Sequence, residues 1–249
     1  MTAKRNSQRA SAGRLRWATL LLIAGSLVAI HWDAHAGLGT VGVNLSWDNC
    51  GAYGTLNKDF SCATNSATFV LVPSAVVVEL SPTLMDSNIE LIFDQSPSWW
   101  AFQSSGCRAG ALASTPGVGG LTGCLDYFGS RPSSSIAGWQ VLTIVGNPIG
   151  YKLRLVTWTD PQHATLVPDG TEIYGGRIVI DTRKTVGADS CLGCSLKGTF
   201  IFGNVTVESL EFPSGWSTSR EATRNYVFWQ NSLVPTLRPT WGSIKAMYR

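Results

Sequence analysis

The chain reads as an all-β protein: a disulfide-containing β-sandwich, jelly-roll or Ig-like in build, followed by a short C-terminal helix. Three observations carry that expectation. Short runs of alternating apolar and polar residues recur along the chain, Gly, Pro and Asn punctuate them, and no helix-length stripe of 3.6-residue period runs through residues 37–233.

Each strand has its own signal. Val41, Val43, Leu45 and Trp47 alternate with small or polar residues, as in a half-buried strand, and the turn formers Asp48-Asn49-Cys50-Gly51 stop it. Residues 68–72 and 75–80 are β-rich runs separated by Pro73-Ser74. Ile89, Leu91 and Phe93 alternate again, up to a break at residues 94–97. Residues 139–145 and 151–158 read as two strands joined by a Gly146-Asn147-Pro148 turn. Residues 172–182 and 199–212 complete the set, with Gly203-Asn204 marking a bulge or hairpin turn in the last. The Gly/Ser-rich stretches 96–108 and 109–135 read as long loops on this framework, where binding usually resides.

The ends differ in character. Lys4, Arg5, Arg9, Arg14 and Arg16 precede a 14-residue apolar run, Trp17 to Ile30, and then Ala34-His35-Ala36. A basic flank, a short apolar core and a small-x-small site predict a signal peptide over residues 1–36, cleaved after Ala36. The run is too short to span a bilayer, which takes about 20 apolar residues. The expected destination is extracellular or periplasmic, with no membrane span after cleavage. Residues 37–233 form the expected sandwich domain, and 234–249 a Pro-containing linker and an amphipathic helix. In that helix Trp241, Ile244 and Tyr248 share one face for docking, on the sandwich itself or as a tag for export or surface assembly.

Composition narrows the function. The leader holds five of the 19 basic residues and one of the 16 acidic ones, leaving 14 against 15. The mature part therefore has no excess of positive charge, and nucleic acid is not an expected partner.

All six cysteines, Cys50, Cys62, Cys107, Cys124, Cys191 and Cys194, follow the leader, and an even count in an exported chain predicts disulfides. Local pairing is the simplest expectation: Cys50–Cys62, Cys107–Cys124 and Cys191–Cys194. The first two would each contribute roughly 3 kcal/mol through loop closure. In Cys191-Leu192-Gly193-Cys194 the glycine supplies the positive φ of a type II turn. A structural staple is the leading reading there, ahead of a thiol oxidoreductase motif or half of a zinc site.

Several motifs resemble a family of uncharacterised exported bacterial β-rich proteins. They are Val43-Asn44-Leu45-Ser46-Trp47 with Cys50-Gly51, Phe60-x-Cys62-x-x-Asn65, Trp99-Trp100 leading to Gly106-Cys107-Arg108, Lys184-Thr185-Val186-Gly187 before Cys191-x-Gly193-Cys194, and the ending Thr240-Trp241-Gly242-x-Ile244-Lys245. The resemblance covers most of the mature chain. It implies a β-rich secreted domain and transfers no activity.

The residues available for chemistry are few. After the leader the only histidine is His163, in a turn-like Asp160-Pro161-Gln162-His163 segment, and there is no GxSxG elbow. A histidine-rich zinc site is excluded, and a Ser-His-Asp hydrolase would have to use His163. Glu79, Glu90, Asp94, Glu172 and Asp181 leave a carboxylate glycosidase open. Asp48, Asn49, Asn57, Asp59 and Asn65 gather oxygens suited to calcium, though the same residues are ordinary turn formers, and no cofactor is expected. Trp99, Trp100 and Arg108 are the expected contact patch, on the premise that adjacent residues of a strand face opposite ways and leave one tryptophan exposed to a glycan or an envelope protein. Packing of both tryptophans inside the sandwich is the leading reading of the pair, since aromatics dominate core burial, and the contact patch is the functional one. The expected function is a secreted, non-enzymatic module for extracellular binding or surface structure.

Overall fold

The computed structural model describes residues 40–93, 97–117, 121–144 and 147–230. The predicted leader and the predicted docking residues Trp241, Ile244 and Tyr248 lie outside the described residues. Among the described residues no helix is long and apolar enough to cross a membrane.

Among the described residues twelve strands form two sheets. In chain order they are β1 (Gly42–Trp47), β2 (Asn57–Lys58), β3 (Thr68–Val76), β4 (Pro82–Phe93), β5 (Leu112–Thr115), β6 (Ser133–Ile144), β7 (Asn147–Thr159), β8 (Glu172–Tyr174), β9 (Arg177–Asp181), β10 (Gly198–Ser209), β11 (Trp216–Thr218) and β12 (Tyr226–Trp229). The smaller sheet runs β1-β3-β9-β5, with β8 also on β3; the larger runs β2-β12-β10-β4-β7-β6, with β11 on β10. The named strands pair antiparallel except β2 with β12. This is the all-β, disulfide-bonded sandwich that the alternation predicts.

The core between the sheets follows from that alternation. On β4 the buried Met85, Ile89, Leu91 and Phe93 interleave with Asp86, Asn88, Glu90 and Ile92 on the outer face. Across the layer they meet Val43, Leu45 and Trp47 of β1 and Phe69 and Leu71 of β3 in one hydrophobic cluster. The bulge predicted at Gly203-Asn204 is present, where the β10–β4 register shifts between Phe202 and Asn204.

Two elements depart from expectation for one shared reason. Residues 68–76 form a single strand through Pro73, and residues 172–182 form two strands broken at Gly175-Gly176. The Pro73 carbonyl accepts from Gly175 N at 3.4 Å, so the proline's missing N–H faces the gap between β8 and β9. A central strand tolerates proline where no ladder bond is required, and the break in the neighbour removes that requirement. The stretch 109–135, read as loop, contains β5 and the start of β6.

The disulfides correct the local pairing outright. They are Cys50–Cys124, Cys62–Cys194 and Cys107–Cys191, at sequence separations of 74, 132 and 84. Closing a longer loop adds only about 0.6 kcal/mol per doubling. Proximity in sequence is therefore a weak advantage against strand pairing that brings distant loops together.

Candidate functional site

The predicted patch is interior. Ser98–Trp100 forms a 3₁₀ turn rather than a strand, so the opposite-faces rule does not apply, and Trp99, Trp100 and Arg108 are each 0% exposed. Trp99 stacks on Trp229 at 5.2 Å and donates its indole N–H to Thr185 Oγ1 at 2.9 Å. Trp100 meets Phe102, Phe200 and Trp229 edge to face. Arg108 lies 3.4 Å from the Trp99 ring centre and donates to the backbone carbonyls of Trp99, Asp181 and Arg183. Burial pushes its pKa down to about 9, against the pull of Asp181, and it stays charged at neutral pH. The trio is a rivet of the core.

The CxGC turn closes the same cage. Gly193 has the expected positive φ, 98°, and a Cβ there would stand 2.4 Å from Pro97 Cβ. The two cysteines do not pair with each other; each holds a separate loop, Cys191 that of Cys107 and Cys194 that of Cys62. Trp229 Nε1 and Gln230 Nε2 donate to the Cys194 carbonyl at 2.8 and 3.1 Å. With their sulfurs bonded apart, Cys191 and Cys194 form a two-point anchor and not a dithiol.

The other polar candidates are dispersed. His163 is exposed in a 3₁₀ turn capped by Asp160, whose carboxylate accepts from Gln162 N at 2.8 Å. Glu79 and Glu90 are exposed, Asp181 pairs with Arg183, and Asp94 lies outside the described residues. Of the calcium candidates, Asp48 pairs with Lys58 at 2.6 Å. Asn49 and Asn65 tie distant loops together, accepting from the backbone N–H of Thr122 and from those of Thr185 and Val186. Among the described residues no three His, Cys, Asp or Glu side chains stand together as metal ligands.

Glu172 is the exception in burial. It sits 5% exposed on the outer side of the smaller sheet, accepting from Ser74 Oγ at 2.6 Å and Asn44 Nδ2 at 2.9 Å. Desolvation raises its pKa, and the two hydrogen bonds oppose that rise. Asn44 turns its carbonyl to the N–H groups of Thr223 and Arg224, so the acid anchors a polar cluster.

What single-strand reading missed is the outer face of the larger sheet. Register sets Gly138 of β6 opposite Arg154 of β7, Arg154 opposite Asn88 of β4, and Asn88 opposite Asn204 of β10. Adjacent rows hold Gln140, Lys152 and Glu90 on one side, and Ile136, Val156 and Asp86 on the other. A groove of about 470 Å³ opens there, lined by Asp86, Asn88, Gly138, Gln140, Lys152 and Arg154, with Trp139 behind. The Asp86 carboxylate grips Arg154 Nε and Nη2 at 2.8 and 2.7 Å, which fixes the guanidinium and raises its pKa further. Beyond the groove Ile136 and Trp158 are 60% and 41% exposed. The period-2 signal for these outward residues is present in the sequence, but their assembly needs the strand order.

No family model matches the sequence, and no curated protein matches it. Among solved structures, the chain is similar to the second type II cohesin module from the cellulosomal adaptor scaffoldin of Acetivibrio cellulolyticus. Identity is 11%, 72% of this chain and 90% of that chain are covered, and the TM-score is 0.31. A second structure of that module, with its long C-terminal linker, gives 9%, 73%, 84% and 0.33.

Proposed function

We propose that this chain is an exported, non-enzymatic binding module whose working surface is the outer face of the larger sheet. One observation carries the reading: across β4, β7 and β6 that face presents a groove of charged and amide side chains, flanked by the exposed Ile136 and Trp158. Three disulfides suit an oxidising compartment outside the cytosol. The exposed His163 and the buried, singly placed Glu172 offer no acid–base pair for hydrolysis.

The test is biolayer interferometry of the exported protein and a Trp158→Ala/Arg154→Ala double variant. Both are presented with soluble polysaccharides and with purified envelope proteins, and reducing-sugar release is followed in parallel. The expected result is a ligand held by the wild type, lost at least tenfold by the folded double variant, and never hydrolysed. Unchanged binding by the variant, or catalytic release of sugar, overturns the reading.

A further inference from the structure

Resting on that reading, we infer that the ligand is a neutral glycan chain, laid across the strands in the trough that starts at Gly138 and ends at the Gly203-Asn204 bulge. Two glycines, Gly138 and Gly203, stand in strand interiors with open space where a side chain would be. A strand-interior glycine costs roughly 0.5–1 kcal/mol relative to alanine. Elsewhere in this protein the cost has a visible cause: a Cβ on Gly198 would lie 2.2 Å from Phe93, and Gly176 has a φ of 104°. Gly138 has neither excuse. Its φ is not positive, and an added Cβ would meet only the Arg154 carbonyl, at 3.9 Å. Gly203 has equally open surroundings, with only the Asn88 carbonyl at 3.7 Å, but as the extra residue of a bulge it has a backbone reason to be glycine. A glycine in a strand that neither backbone nor packing demands marks a place where something else approaches closely.

Both glycines lie on one line. Gly138, Arg154, Asn88 and Asn204 face one another across four strands, with Gly203 as the extra residue of the bulge beside Asn204. At 4.7–4.9 Å per strand the line is roughly 14 Å long. Its Gly138 end and its polar middle line the groove, and Gly203-Asn204 continue the line on β10. The bidentate Asp86 pair holds Arg154 in place, so the groove is ordered before any ligand arrives.

The chemistry of the lining selects the occupant. Asp86 and Glu90 balance Lys152 and Arg154 across neighbouring rows, so the face has no net field to draw a polyanion or a polycation. The groove itself offers amides, carboxylate, ammonium and guanidinium, which satisfy hydroxyl groups as both donors and acceptors. Protein partners anchor on aromatic side chains in dry central pockets, and this groove's polar floor offers none. Trp158 stands four residues beyond Arg154 on the same face of β7, roughly 13 Å away at 3.3 Å per residue. It is a flat surface for a sugar ring at the trough's flank.

The experiment is affinity electrophoresis of the exported protein in native gels that carry hydroxyethylcellulose, xylan, laminarin, mannan or pullulan, with heparin as the charged control. Gly138→Trp fills the trough, Gly138→Ala adds one methyl at the point of closest approach, and circular dichroism verifies that both fold. The expected result is retardation of the wild type in at least one neutral gel, weaker retardation of Gly138→Ala, and at least tenfold weaker retardation of Gly138→Trp. Retardation that Gly138→Trp does not change overturns the trough as the site. Retardation only by heparin, or by no gel, overturns the neutral glycan. In that case, envelope-protein binding that Trp158→Ala/Arg154→Ala abolishes leaves the binding module standing, and its absence removes both.

Discussion

On the outside of the smaller sheet, Val70, Val72 and Tyr174 pack with Leu121 and the Cys50–Cys124 disulfide in a second, small hydrophobic cluster. On the outside of the larger sheet, Ile136 and Trp158 face water beside a polar groove. The difference lies in burial and is only partly written in composition: β1 alternates as a half-buried strand does, yet its polar Asn44 and Ser46 are covered as well. Every residue of β1 is buried, and β3 is buried on both faces from Leu71 onward. Such strands need cover on each side, as continuous apolar runs do. β4 and β7 alternate cleanly, and one face suffices for them. Cover costs a loop and a cross-link; leaving a face open frees its side chains for a partner.

The covered face depends most heavily on the Cys50–Cys124 disulfide. Cys50→Ala/Cys124→Ala removes a link across 74 residues and should destabilise the fold by roughly 4 kcal/mol. Chemical denaturation measures the loss, and a rise in binding of a hydrophobic dye reports the uncovered cluster. Trp158→Ala on the open face should change stability by no more than about 0.5 kcal/mol.

A second contrast is electrostatic. Burial raises the pKa of Glu172, so the folded chain holds this proton more tightly than the unfolded chain, whose value is near 4.5. The acid's contribution to stability is whole below that value and is lost as pH rises through the folded pKa. Glu172→Gln keeps an acceptor for Asn44 and Ser74 and cannot ionise. Its stability should match the wild type in acid and exceed it at neutral pH, as denaturant midpoints at several pH values will reveal. An unchanged gap across that range would mean that the carboxyl is not desolvated. The Asp86–Arg154 pair, in contact with solvent, should be worth about 1 kcal/mol or less and weaken with salt in a double-mutant cycle. Gly138→Ala sharpens the comparison at its small end, with a gain of roughly 0.5 kcal/mol in thermal denaturation.

Much of the framework was legible before any coordinates. Alternation located β1 and the second half of β4, short stretches between turn residues located β6, β7 and β10, Gly203-Asn204 marked a bulge or a hairpin turn, and Gly193 its turn. The failures share a cause: a rule of local sequence was applied where tertiary contacts decide. Trp99 and Trp100 follow a 3₁₀ turn, which sends both rings into the core. Pro73 looked like a strand end because its tolerance depends on a break in another strand. Local disulfides looked simplest because strand order, which carries distant loops together, is not encoded in any short window. The open face was half legible. Lys152 and Arg154, or Asp86 and Asn88, alternate outward within their own strands, yet only the register sets them in one groove.

The cross-links interleave. Cys50–Cys124 overlaps Cys62–Cys194, and Cys107–Cys191 overlaps the first and nests within the second. A protease that nicks any one peptide bond between residues 50 and 194 therefore releases no fragment, because at least one disulfide bridges every such cut. A once-nicked molecule keeps both sheets covalently joined.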